Sequence, residues 1–304
     1  MRCLLLLLLL ASTAAIAQPP TVEIREMAID FSPFSLVAEG GEQLHLGMAE
    51  GLTVTLAGEA TGEPVANGWA LTAPTTPGLY LLQVSGGVDQ VMEINLFVTV
   101  PASAVVEEQL NGYRIGPAPP GHRVYPELFR TPTGFIEVSE AMLELQVSPH
   151  FRLRQLLCKQ EGGFPKYIVL RESLLVLLEG LLGEVRSRGY PVETFGVISG
   201  YRTPWYNRRI GNVANSRHVY GDAMDLYIDV NEDGLMDDLM AMEASSVRKF
   251  NLSVPATVSN GLKCWKSFCE DRERFTEIFR TEAFNPESYG DLEARLGTLW
   301  YTDA

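Results

Sequence analysis

Cysteine and histidine are scarce in this chain, basic charge is outnumbered, and long apolar runs are missing after the first residues. The 304 residues contain four cysteines and four histidines. One cysteine, Cys3, lies in the leader described below, and the three others, Cys158, Cys264 and Cys269, are too few and too odd in number for a disulfide framework. At most one bridge can form. Cys158, inside the apolar Leu156-Leu157-Cys158 stretch, reads as a buried small hydrophobe rather than a nucleophile. Lys and Arg number 24 against 38 Asp and Glu, a formal charge of −14. Nucleic acid is thereby excluded as a partner, because phosphate binding draws on clustered cations. After the N-terminal run nothing approaches the ~20 apolar residues that a spanning helix needs.

At the N-terminus, Arg2 is followed by an uninterrupted leucine run, Leu4 to Leu10, and then by Ala15-Ile16-Ala17. Charge, short apolar core and small residues are the parts of a secretory signal peptide. Cleavage is expected near Gln18, leaving no membrane anchor and a periplasmic or secreted protein. No small-residue lipobox precedes Cys3.

Four segments are expected: a signal peptide over 1–17, a β-sandwich over 18–105, a connector over 106–147 and a second domain over 148–304 whose tail from about 240 is atypical. From Thr21 to Val100, short apolar runs such as Leu52-Thr53-Val54-Thr55-Leu56 and Ile94-Asn95-Leu96-Phe97-Val98 alternate between turn residues. Alternation of that length predicts antiparallel strands, and an immunoglobulin-like sandwich is the fold it suggests. Pro74 to Tyr80 resembles the Pro-Gly-x-Tyr corner of such domains. The module reads as a packing and spacing unit; as a glycan binder it would need an aromatic platform that its sequence does not show. Pro117, Pro119, Pro120, Pro126 and Pro132 exclude a long helix from the connector. Within Arg171 to Arg188, Leu174, Leu178, Leu181 and Val185 fall at helical spacing, and Leu175, Leu177 and Leu182 widen that stripe into a core-facing surface. Phe195 to Ile198 and Met224 to Ile228 read as strands, and Asn207 to Gly211 as a loop or the start of a short helix.

Ser199 to Asp233 concentrates the chemistry. His218 and Asp225 stand seven residues apart and converge on one cation if the Gly221 turn and a short strand bring their side chains to the same side. The same pair could equally be a simple surface hydrogen bond. Ser216, His218, Gly221, Ala223 and Asp225, in the pattern Ser-x-His-x-x-Gly-x-Ala-x-Asp, together with Ser199-Gly200-Tyr201-Arg202-Thr203-Pro204 before them, resemble the D-alanyl-D-alanine carboxypeptidase and Hedgehog-type zinc peptidase superfamily, murein endopeptidases included. The resemblance covers roughly Leu110 to Asp238 and implies that Leu110 to Gly116 is a strand leading into the second domain. It implies an α+β, DD-peptidase-like C-terminal domain after the sandwich, with zinc held by His218 and Asp225. It also implies that Arg202 lies beside the metal, where its guanidinium holds a substrate carboxylate or the oxyanion of a tetrahedral intermediate. A structural arginine paired with a nearby carboxylate is the plainer alternative, and Tyr201, Pro204 and Asn207 are expected to shape the turn.

Asp229, Asn231, Asp233 and Asp237, with Gly234 among them, follow the oxygen-ligand spacing of a Ca²⁺ loop. The twelfth position, where a bidentate glutamate would stand, is Met240. A calcium site and a solvated acidic turn both fit.

Zinc in a hydrolase keeps three protein ligands and an open position for water. The resembled family takes its third ligand from a late histidine, yet His45, His122, His150 and His218 all precede Asp225. His150 belongs to the start of a helix rather than to the metal site. In the closing Leu299-Trp300-Tyr301-Thr302-Asp303, Tyr301 stands where that histidine is expected. A reading-frame slip in the gene near Leu239 would account for the missing ligand and for the weak periodicity after Ser245, and would make Cys264 and Cys269 accidental.

The function implied is a secreted zinc peptidase acting on peptidoglycan peptides, as a D-alanyl carboxypeptidase or murein endopeptidase, weak or inactive as written. The alternatives are a non-catalytic wall- or peptide-binding protein of the same fold, and a calcium-stabilised structural module.

Overall fold

The computed structural model describes residues 18–87, 90–121, 126, 129–187, 189–229 and 250–253. The leader over 1–17 lies outside them, as do Asn231, Asp233, Asp237, Cys264, Cys269 and Tyr301. The fold is mixed, mostly β with few helices.

Among the described residues between Val22 and Val98 the chain forms two five-stranded sheets. One runs in the order Met27–Ile29, Val22–Ile24, Gln43–Met48, Gly68–Thr72, Glu63–Val65. The other runs Phe34–Ala38, Gln90–Val98, Gly78–Gly87, Thr53–Leu56, Glu59–Ala60. Pairing is antiparallel except between Phe34–Ala38 and Gln90–Val98, which lie parallel. Alternation explains the inward faces: Leu44 and Leu46 are buried while His45 between them is exposed. The Tyr80 hydroxyl donates to the Thr76 carbonyl at 3.0 Å and ties the strand to the turn before it.

Ile94 to Val98 departs from the alternation expected of it, because all five residues are buried. The cause is the chain from residue 146 onward, which returns to cover the outer face of that sheet. Asn95 Nδ2 donates to the Gln146 carbonyl at 2.8 Å, and Ser35 Oγ donates to the Val147 carbonyl at 2.9 Å. Glu172 adds a charged clamp by accepting from Arg25 at 2.5 Å and from the Val37 amide at 3.0 Å. A single apolar cluster therefore runs from Val22 through Phe34 and Leu96 to Leu178 and Leu226.

The proline-rich segment contributes more than a link. Gly134–Val138 pairs antiparallel with Val100–Pro101 on one side and Lys166–Ile168 on the other. Leu110 to Gly116 forms a hairpin rather than the single strand expected, with Gln109–Leu110 against Tyr113–Arg114. Asn111 (φ 49°) and Gly112 (φ 80°) close it, both in the left-handed region that a two-residue primed turn requires.

Among the described residues three α-helices follow: α1, Leu153–Leu156; α2, Glu172–Ser187; and α3, Pro204–Arg209. In α2 six residues of the predicted stripe are buried, Leu174, Leu175, Leu178, Leu181, Leu182 and Val185, while Leu177 at its margin is only half-buried. Cys158 is buried and unbridged, and burial pushes its thiol pKa up. Among the described residues no helix is long and apolar enough to cross a membrane.

Candidate metal centre

Two strands and two turns build the site. Gly196–Ser199 runs antiparallel to Ala223–Tyr227, with Ser199 opposite Asp225 and an irregularity between Val197 and Ser199. Asp225 thus sits mid-strand on a rigid element, flanked on its far side by Phe250–Ser253. His218 lies in a single 3₁₀ turn, Arg217–Tyr220, which ends on Gly221 in the left-handed conformation. A Cβ at Gly221 would stand 2.4 Å from the Val169 carbonyl oxygen, so position and dihedral both demand glycine.

The two turns hold each other. The Arg202 amide donates to the His218 carbonyl at 3.2 Å, and His218 Nδ1 meets the Gly200 carbonyl at 2.8 Å. A carbonyl can only accept, so Nδ1 carries the proton and Nε2 presents its lone pair. That Nε2 lies 3.5 Å from Asp225 Oδ1, too long for a strong hydrogen bond. Two donors bonded at ~2.0–2.1 Å to one tetrahedral zinc stand roughly 3.3–3.4 Å apart, so this separation fits an edge of such a site. Both side chains are buried, and the histidine carries the outer hydrogen bond that metal-bound imidazoles characteristically make.

Arg202 is also buried. Its Nη2 donates to Asp225 Oδ2 at 2.7 Å and its Nε to Ser199 Oγ at 2.8 Å. The guanidinium thereby fixes one carboxylate oxygen while the other faces the imidazole. Nη1 makes no hydrogen bond among the described residues.

Thr203 organises the approach from the other side. Its hydroxyl accepts from the Tyr206 amide at 3.1 Å and donates to Gln160 Oε1 at 2.7 Å, and Pro204 follows as the first helical residue. Residues 204–209 are therefore helical, starting earlier than the Asn207–Gly211 expectation. Thr-Pro is the cap signal that would have found it. Asn207, inside α3, donates to the Val213 carbonyl at 2.7 Å and shapes the return of the chain.

Asp222 was not singled out in the sequence, yet it is the most deeply buried carboxylate beside the site. It pairs with Arg217 and, at 3.7 Å, with Arg171. Burial pushes its carboxyl up to about 6, against the opposing pull of Arg217, Arg171 and His218. The Arg171 amide donates to the Gly221 carbonyl at 3.0 Å, so the segment entering α2 straps the histidine turn in place. An acidic residue between Gly221 and Ala223, close to Arg217, was the available signal. Ser216 Oγ is buried without a hydrogen-bond partner among the described residues.

His150 has both ring nitrogens engaged, Nδ1 with Glu179 at 2.6 Å and Nε2 with Arg186 at 2.9 Å. His45 is exposed on strand Gln43–Met48, and His122 lies outside the described residues. Among the described residues no group of three or more His, Cys, Asp or Glu side chains is gathered for a metal. His218 and Asp225 bring together two such side chains. Of the acidic loop only Asp229 is described, and it is buried. Calcium has no support beyond the sequence pattern.

Residues 149–251 match the family model described as Peptidase M15. No curated protein and no solved structure matches the chain. The match spans Arg202, His218 and Asp225 and supports the M15 peptidase superfamily, whose members are in general zinc-dependent hydrolases.

Proposed function

We propose that this chain is a zinc-peptidase-like protein of the periplasm or cell exterior whose substrate class is the peptides of peptidoglycan, of the D-alanyl carboxypeptidase or murein endopeptidase type. The observation that carries the reading is the facing pair itself, His218 Nε2 and Asp225 Oδ1 at 3.5 Å, buried within the segment that matches the peptidase family. Zinc bound there would supply a polarised water of lowered pKa and a Lewis acid for the scissile carbonyl.

The chain's own residues divide the remaining work. The Gly200 carbonyl holds the His218 proton on Nδ1 and keeps Nε2 available. Arg202 orients Asp225 through Nη2, and Nη1 is the donor left for a substrate carboxylate or a developing oxyanion. Thr203 and Gln160 hold the turn that carries Arg202. The sandwich, read as immunoglobulin-like on its two sheets and its Tyr80–Thr76 corner, serves as a scaffold docked through Glu172, Ser35 and Asn95.

A second reading, a wall- or peptide-binding protein of the same fold, is favoured by one observation: no histidine follows Asp225. Digestion of purified murein by wild type and His218→Ala separates the two. Fragment release that vanishes in the variant supports hydrolysis. Retention on murein without release supports binding alone.

A further inference from the structure

We infer that an aromatic and cationic strip beside the site is a docking surface for the carboxylate-bearing peptide strands of murein, an inference that rests on the substrate class proposed above. The strip is traceable contact by contact. Thr203, next to Arg202, donates to Gln160 Oε1 at 2.7 Å, and Gln160 Nε2 donates to the Arg114 carbonyl at 3.1 Å. The Arg114 guanidinium stands 4.7 Å from the centroid of Trp205, and that of Arg209 stands 5.6 Å from the same ring. In the other direction Lys166 Nζ donates to the Gln160 carbonyl at 3.4 Å and lies 5.7 Å from the ring of Phe164, which is 37% exposed.

Charge is what makes this strip informative. The chain carries −14 overall, so an anionic polymer is repelled by it at long range. Arg114 and Arg209 are exposed and form no ion pair among the described residues, which leaves their charge available at the surface. Stacking on Trp205 fixes both guanidiniums without neutralising them. A planar fork held in place suits carboxylates, and the half-buried Trp205 and exposed Phe164 offer apolar area to sugar or peptide. The sandwich shows no such platform in sequence; the strip lies instead on the domain that holds His218 and leads up to the turn of Arg202.

The test is co-sedimentation of the full chain with purified, insoluble murein, run at roughly 0.05 M and 0.5 M salt to span weak and strong screening. Wild type pellets at low salt and is released at high salt. Arg114→Glu/Arg209→Glu loses roughly tenfold in affinity, as two reversed charges at an interface rim should. Arg130→Glu/Arg154→Glu, with the same change in net charge elsewhere, pellets like wild type; thermal melting confirms that each variant is folded. Fragment release from the same murein is scored separately, so pelleting that persists without release keeps the docking surface while counting against the peptidase reading. Equal pelleting by wild type and the Arg114/Arg209 variant overturns the inference, as do equal losses in the control variant or no pelleting by wild type.

Discussion

Nε2 of His218 and Oδ1 of Asp225 face each other at 3.5 Å, both side chains buried, while the opposite edge of each is already committed. The imidazole is tied to the Gly200 carbonyl and the carboxylate to Arg202. Two groups so oriented present lone pairs to one point, and each prediction below concerns what orients them.

Arg202→Ala removes a buried charged partner from Asp225 and a donor from Ser199. Breaking a buried pair from one side costs about 3 kcal/mol or more, because the remaining charge stays in a poor solvent. Urea denaturation should show a loss of that order. Arg202→Lys, which keeps charge but not the fork, should lose less. A loss under about 0.5 kcal/mol in Arg202→Ala would place the guanidinium outside the support of Asp225.

Gly221→Ala puts a Cβ against the Val169 carbonyl and forces a left-handed alanine. The conformational term alone is about 1 kcal/mol, and the overlap must displace the turn that carries His218. The expected result is a destabilisation on the order of 2 kcal/mol together with weakened zinc binding. A variant that melts like wild type would show that the turn is adaptable.

Asp222 sets a pH dependence. Burial raises its carboxyl in the fold from the ordinary 3.8 to about 6, so the fold favours the protonated form. Its contribution to stability is therefore fully present below the lower value and is lost as pH rises through about 6. That difference corresponds to roughly 3 kcal/mol across the window. Denaturation of wild type and Asp222→Asn between pH 4 and 7, roughly the span of the two values, should give curves whose difference changes steadily with pH. Parallel curves would contradict the burial argument.

Much of this geometry was legible in the sequence where a pattern is local. His218 and Asp225 share one short span, and α2 is long enough for its leucine stripe to declare a face. Short or distant determinants were not legible in the same way. α3 has six residues, too few for periodicity, and only Thr203-Pro204 marks its start. The hairpin at Asn111-Gly112 was hidden because its strands are two residues each. Ile94 to Val98 is buried on both faces because the chain from residue 146 onward, α2 included, returns to cover the sheet. Asp222 takes its importance from Arg171, which arrives from another element altogether. Local sequence is silent on such contacts, since they are made by tertiary return of the chain.

Zinc titration of metal-free protein, read by calorimetry on wild type, His218→Ala and Asp225→Asn, tests the shared lone-pair geometry most directly. One zinc per chain at saturation in wild type, lost in both variants, is the predicted result. Wild type that takes up no zinc at saturating metal, or uptake that both substitutions leave unchanged, would contradict it.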